Sequence, residues 1–192
     1  MNSPEGIPRR TRRSEELGIG GRPGVPASVR RFYVLYYGAI GCIFPYLNLY
    51  YQKVGLTGVQ IGILAAVSTV VSLVVAPLWA GVGDARKQHS ALLAIAVGGS
   101  ILPGFLLSVA GGMGWLVALT VIYAFFFGPT HVLIDSIALD AAKAGKRSFG
   151  ELRAWGTLGY VIFAWLLGAI IQRTGLKALF YGYVILMLGS LV

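Results

Sequence analysis

Long apolar runs alternate with short polar joins along the whole chain after residue 31. Six such runs can be drawn, at roughly 32–51, 59–82, 91–110, 115–139, 154–172 and 176–192. About 20 residues cross a hydrocarbon core as a helix, so five of the six are long enough to span. The joins are Gln52 to Gly58, Gly83 to Ser90, Gly111 to Gly114, Asp140 to Arg153 and Arg173 to Gly175. Joins this short predict antiparallel neighbours. The sixth run stops at Val192 while still apolar and has no basic anchor. That pattern predicts a chain cut inside a helix, because spans ordinarily close on interfacial or charged residues. Residues 1–31 are different: Pro4, Pro8, Pro23, Pro26, many glycines and seven arginines predict a disordered basic tail. The domain expectation is therefore a tail over 1–31 and a transmembrane bundle over 32–192, truncated within its sixth helix.

Composition sharpens this picture. The chain has 192 residues, 56% hydrophobic and 12% charged. An apolar fraction that high, in runs that long, excludes a soluble domain and predicts an all-α integral membrane protein. The net charge of +9 does not point to nucleic acid, because the basic residues sit in the joins and the tail. Thirteen of the 16 basic residues fall in the tail and in the second and fourth joins; Lys53, Arg173 and Lys177 make up the rest. That asymmetry places the amino terminus in the cytoplasm of a cell (inner) membrane. Arg30-Arg31 followed by an apolar run to Cys42 superficially resembles a lipoprotein signal. The run continues through Phe44, Tyr46 and Leu49, however, and further spans follow, unlike a removed leader. The lone Cys42 excludes an intramolecular disulfide and offers no structural metal site.

Within the apolar runs a few polar residues stand out. Asp135 lies in the fourth span and Arg153 opens the fifth, 18 residues on. Charges at membrane depth cost roughly 2.5–3.5 kcal/mol on insertion scales and usually face a cavity or a partner. The two either neutralise each other, present a cation and an anion to a polar solute, or are plain charges at cytoplasmic helix ends. His131 lies one turn before Asp135 on the same face. It either relays a proton to the carboxylate or bonds a backbone carbonyl. Gly128-Pro129 just before it predicts a bend. On the first span Tyr37, Gly41, Phe44 and Asn48 share a face, which lines a solute cavity or serves helix packing. Asp140 lies about 140° around the helix from Asp135 and points elsewhere.

Three stretches together resemble the major facilitator superfamily. They are Phe44-Pro45-Tyr46-Leu47 with the Gly58–Leu64 opening of the second span, Pro77–Arg86 at the second join, and Phe149–Gly156. Within it the chain resembles the branch that holds lactose permease, nucleoside permeases and phenylpropionate permease-like proteins. The resemblance covers about 32–192 and implies six transmembrane helices, one half of a twelve-helix fold, with a carboxy-terminal half missing. It implies that Asp135 and Arg153 contact substrate and that Tyr160, seven residues past Arg153, stacks on it. It places Tyr37 and Gly41 on cavity-facing positions. It also implies that Asp84 and Arg86 pair charges across a cytoplasmic gate, although Ala80 and Ala85 stand where the family pattern has a glycine and a basic residue.

The implied activity is secondary active transport of a small polar or amphipathic solute by alternating access, coupled to protons, with no cofactor. Two other classes compete with it. Asp84-Ala85-Arg86 partly resembles the core of membrane CDP-alcohol phosphotransferases. No acid lies between Asp84 and Asp135, so a two-metal carboxylate site is not supported, and an enzyme is not expected. No phosphate-binding Gly-x-x-x-x-Gly-Lys sequence occurs, so nothing points to ATP-driven transport. A non-transporting sensor or assembly protein on the same fold remains the alternative.

Overall fold

The computed structural model describes residues 27–86, 88–143 and 149–192. The tail before Ala27, Lys87, and the join carrying Lys146 and Arg147 lie outside the described residues. The described chain forms seven helices: α1 (Ala27–Lys53), α2 (Gly58–Arg86), α3 (His89–Leu106), α4 (Met113–Phe127), α5 (Thr130–Lys143), α6 (Phe149–Thr174) and α7 (Ala178–Ser190). Helices α4 and α5 are one apolar span interrupted at Gly128-Pro129. Five spans are long and apolar enough to cross a membrane, and α7 is a shorter apolar helix of 13 residues. The protein is thus an all-α, multi-pass integral membrane protein.

Helix α1 starts at Ala27, five residues ahead of the first apolar run. Hydropathy marks the hydrocarbon thickness, and the helix continues past it. The Arg30 guanidinium lies 4.8 Å from the centroid of the Trp155 ring, a cation–π contact that ties the start of α1 to α6.

The two most extensive contacts join helices distant in the chain, and the next joins the chain neighbours α3 and α4, as their short join predicts. Helix α1 packs most extensively on α6 and then on α7, while α2 packs on α4, and α3 packs on α4 and α7. The pattern is nearly unchanged when the first three spans are exchanged with the last three, as in a fold built from inverted repeats. Glycines explain the strongest pairing. A Cβ on Gly41 would come within 2.5 Å of the Tyr160 carbonyl oxygen, and one on Gly159 would collide with the Val34 backbone. Without side chains at these points the two backbones meet directly.

Buried hydroxyls then lock the register. Thr130 Oγ1 donates to the Phe127 carbonyl at 2.6 Å and sits 2.5 Å from Tyr36 OH. A hydroxyl has one proton, so Tyr36 is the donor across α1 and α5. By the same count Tyr183 on α7 donates to Ser100 Oγ on α3 at 2.8 Å, because Ser100 donates to the Val97 carbonyl. Tyr46 and Tyr50 donate to the carbonyls of Ala164 and Ser108 at 2.8 and 2.9 Å. Helix α2 is the exception to this burial. Only 11% of its most apolar stretch is buried, and a helix that is apolar on all sides needs lipid or more protein around it.

Candidate functional site

The site is assembled where α1, α5 and α6 meet. Asp135 lies eight residues before the end of α5 and Arg153 four residues past the start of α6. At 1.5 Å per residue those are depths of about 12 and 6 Å along the helices. Asp135 is half-buried and Arg153 is exposed. His131 lies one turn before Asp135, and Tyr37 of α1 lies 6.4 Å from the His131 ring and against Gly156, one turn past Arg153. The four groups therefore form one cluster contributed by three helices.

Aromatic packing fixes the rings of this cluster. His131 sits 6.4 Å from Tyr37, 6.1 Å from Tyr36 and 5.5 Å from Phe127, centroid to centroid. Tyr36 is held by its bond to Thr130, and Tyr37 packs edge-on against Tyr36 at 5.3 Å. The Tyr37 ring lies over Gly156, where a Cβ would come within 2.6 Å of it. Gly156 is one turn past Arg153, so this missing side chain lets Tyr37 pack on α6 beside the turn that carries Arg153. The Gly128-Pro129 interruption sits just before His131, where Pro129 supplies no backbone N–H and the Thr130 hydroxyl occupies the Phe127 carbonyl.

The residues singled out by sequence fall into separate groups. Asp135, Arg153, Tyr37 and His131 come together. Gly41 is buried in the α1–α6 contact with the Tyr160 backbone against it, and the Tyr160 side chain is half-buried. The stripe Tyr37, Gly41, Phe44, Asn48 is divided: α6 covers its first half, while Phe44 and Asn48 open on a cavity of about 610 Å³ between α1, α2 and α4–α5. His131 lines the inner end of that cavity and so joins it to the charged cluster.

At the α2–α3 join Asp84 and Arg86 are both exposed. Asp84 Oδ1 pairs with His89 Nε2 at 3.4 Å. A Cβ on Gly83 would lie 2.8 Å from His89 Nδ1, so that glycine makes room for the imidazole. Sequence reasoning passed over His89. It also passed over Thr120 and Tyr123, which line the cavity. The available signal was the four-residue step Tyr123, Phe127, His131, which sets these three along the cavity wall.

A family model described as the MFS_1 like family matches residues 27–192, which is every residue from the start of α1. The chain belongs to that family. Its curated relatives include a maltose permease of Geobacillus stearothermophilus, 28% identical over 82% of this chain and 40% of the relative. A probable 3-phenylpropionic acid transporter of Escherichia coli is 29% identical over 83% of this chain and 43% of the relative. A multidrug resistance protein of Serratia proteamaculans is 27% identical over 74% of this chain and 36% of the relative. The chain thus spans about 40% of the length of the curated relatives it matches.

Proposed function

We propose that this chain forms the first half of a secondary active transporter that moves a small polar or amphipathic solute by alternating access, coupled to protons. One observation carries the reading: the Tyr37 ring of α1 lies 6.4 Å from His131, one turn before Asp135 on α5, and packs over Gly156, one turn past Arg153 on α6, so polar and charged groups of three helices meet at one place. An intramembrane charge pair facing polar groups is the usual device of a transport pathway. In this reading Arg153 donates to solute oxygens, Asp135 accepts from solute hydroxyls, and His131 orients the carboxylate or relays a proton. Charge-assisted bonds of this kind are the strong ones. Tyr37 borders the solute and Tyr160 covers its apolar face. Gly41 serves by letting the Tyr160 backbone approach α1.

The remaining parts of the reading follow from topology and family. The amino terminus lies in the cytoplasm of the inner membrane, which puts Asp84 and Arg86 at the cytoplasmic gate. A carboxy-terminal half supplies the opposing wall, and the two halves rock about the site. No chemical conversion of the solute is expected. The relatives' names span a sugar, an aromatic acid and drugs, so they support a solute carrier without selecting the solute. Uptake of a panel of labelled sugars, nucleosides and aromatic acids by the intact protein in proteoliposomes, with and without an imposed proton gradient, tests the reading. Saturable, gradient-driven uptake of one of them is expected. Solute binding without uptake would instead assign a sensor built on the same fold.

A further inference from the structure

A second cavity, of about 330 Å³, lies at the end of the bundle where α1 and α3 begin and α5 and α7 end. None of Tyr37, His131, Asp135 and Arg153 lines it, and no charged side chain is among its described lining residues. Its floor is made by Tyr33, Leu93, Val97 and Ile134, all buried, and its rim by Ser28 and Ser90, both exposed. Polarity in this cavity is ordered along the membrane normal. Ser28 precedes the apolar run 32–51 and Ser90 precedes the run 91–110, so both hydroxyls sit where hydrocarbon gives way to headgroups. Tyr33, Leu93 and Val97 lie inside those runs. A phospholipid carries its polar head and apolar chain in the same order.

We propose that this cavity is a site for an anionic glycerophospholipid, with an acyl chain on its floor and the phosphate at its rim beside Ser28, Ser90 and Arg31. Charge at this end of the bundle selects the anionic class. The tail and the second and fourth joins hold thirteen basic residues against six acidic ones. Arg31 is exposed and one turn past Ser28, whereas its neighbour Arg30 lies over the Trp155 ring. From the start of a span an arginine can lay its stem along apolar surface and hold its guanidinium at phosphate level, where paired hydrogen bonds recognise a phosphate. Ser90 also belongs to the first turn of α3, whose partial positive charge favours an anion. Arginines beside a span attract anionic lipid in general; the cavity gives one molecule a fixed place. This inference goes beyond the transporter reading and does not rest on it, since it requires only that the chain spans a membrane.

The test places the intact protein in phosphatidylcholine proteoliposomes. Equal minor fractions of phosphatidylglycerol or phosphatidylcholine carry a diazirine in the acyl chain. After irradiation, peptide mass spectrometry locates the cross-linked residues. Phe32, Leu93 and Ile137 report on the cavity; Leu102 and Ile185, exposed on α3 and α7, report on ordinary surrounding lipid. The ratio of phosphatidylglycerol to phosphatidylcholine cross-links is expected to be about fivefold higher at the cavity residues, the effect of one arginine at an anionic surface. Arg31→Gln is expected to abolish that excess and Arg31→Lys to keep most of it. Ile137→Trp, which fills the cavity, is expected to reduce cross-linking of both lipids at Leu93. The Arg31 variants change only an exposed side chain, so the test stands even where Ile137→Trp does not fold. Equal ratios at cavity and reference residues would mean lipid drawn only by the general basic charge, and would overturn the proposal. So would an excess that survives Arg31→Gln. Cross-links at Leu102 and Ile185 with none in the cavity would mean that protein fills it, and would overturn the proposal as well.

Discussion

The carbonyl oxygen of Tyr160 faces Gly41 so closely that a Cβ at position 41 would lie 2.5 Å from it. The neighbour is backbone and cannot rotate away. Gly41→Ala should therefore push α6 off α1, at an overpacking cost of about 1–3 kcal/mol. Gly159→Ala should do the same against the Val34 backbone. At Gly62 an added Cβ would meet nothing within 4 Å, so Gly62→Ala should be neutral or stabilising by up to about 1 kcal/mol. Thermal unfolding of the three variants in one detergent checks this. Equal Tm values for Gly41→Ala and Gly62→Ala would contradict the close approach.

The Tyr36–Thr130 bond predicts an asymmetric mutant cycle. Tyr36→Phe leaves Thr130 bonded to the Phe127 carbonyl and should cost about 1 kcal/mol or less. Thr130→Val strands the buried Tyr36 hydroxyl and should cost more, about 1–3 kcal/mol. Adding Tyr36→Phe to Thr130→Val should then recover part of the loss. Purely additive effects would mean that the two hydroxyls are not coupled.

Six apolar spans were legible because hydropathy reports hydrocarbon thickness directly. Their packing was not, because an apolar surface does not say which helix will cover it. Gly41 and Gly159 carried that information, and only the structure pairs them with Tyr160 and Val34. The intramembrane charges Asp135 and Arg153 were legible as expensive exceptions. The neighbourhood of His131 and Asp135 was legible from spacing, but the approach of Tyr37 depends on the α1–α6 contact, which spacing within one helix cannot reveal. At the second join Asp84 was read with Arg86. The expectation gives both residues partners across a gate; what spacing did not reveal is that His89 folds back across the turn to reach the Asp84 carboxylate. Thr120 and Tyr123 read as ordinary members of an apolar helix; only the structure shows them among the residues that line the cavity between α1, α2 and α4–α5.

Orientation gives a further prediction. Thirteen of the 16 basic residues fall in the tail and the second and fourth joins, so cysteines placed at Ser3 and Ala144 in a Cys42→Ser background should react only from the cytoplasm. Cys42 itself is buried, so its removal should leave insertion unchanged. Reaction at position 144 from outside would overturn both the orientation and the number of spans before it.

The central claim is that Asp135 and Arg153 hold solute as a pair. Asp135→Asn and Arg153→Gln should each abolish binding while membrane insertion survives. Arg153→Lys should fail too, because a point charge does not reproduce the planar fork of the guanidinium. Tyr160→Phe should keep most activity and Tyr160→Ala should lose it. The direct measurement is saturable uptake by the intact protein in proteoliposomes, compared at equal expression among wild type, Asp135→Asn and Arg153→Gln. Saturable uptake is expected in the wild type and none above background in either variant. Wild-type kinetics in both variants would return the two residues to ordinary helix-end charges and contradict the claim.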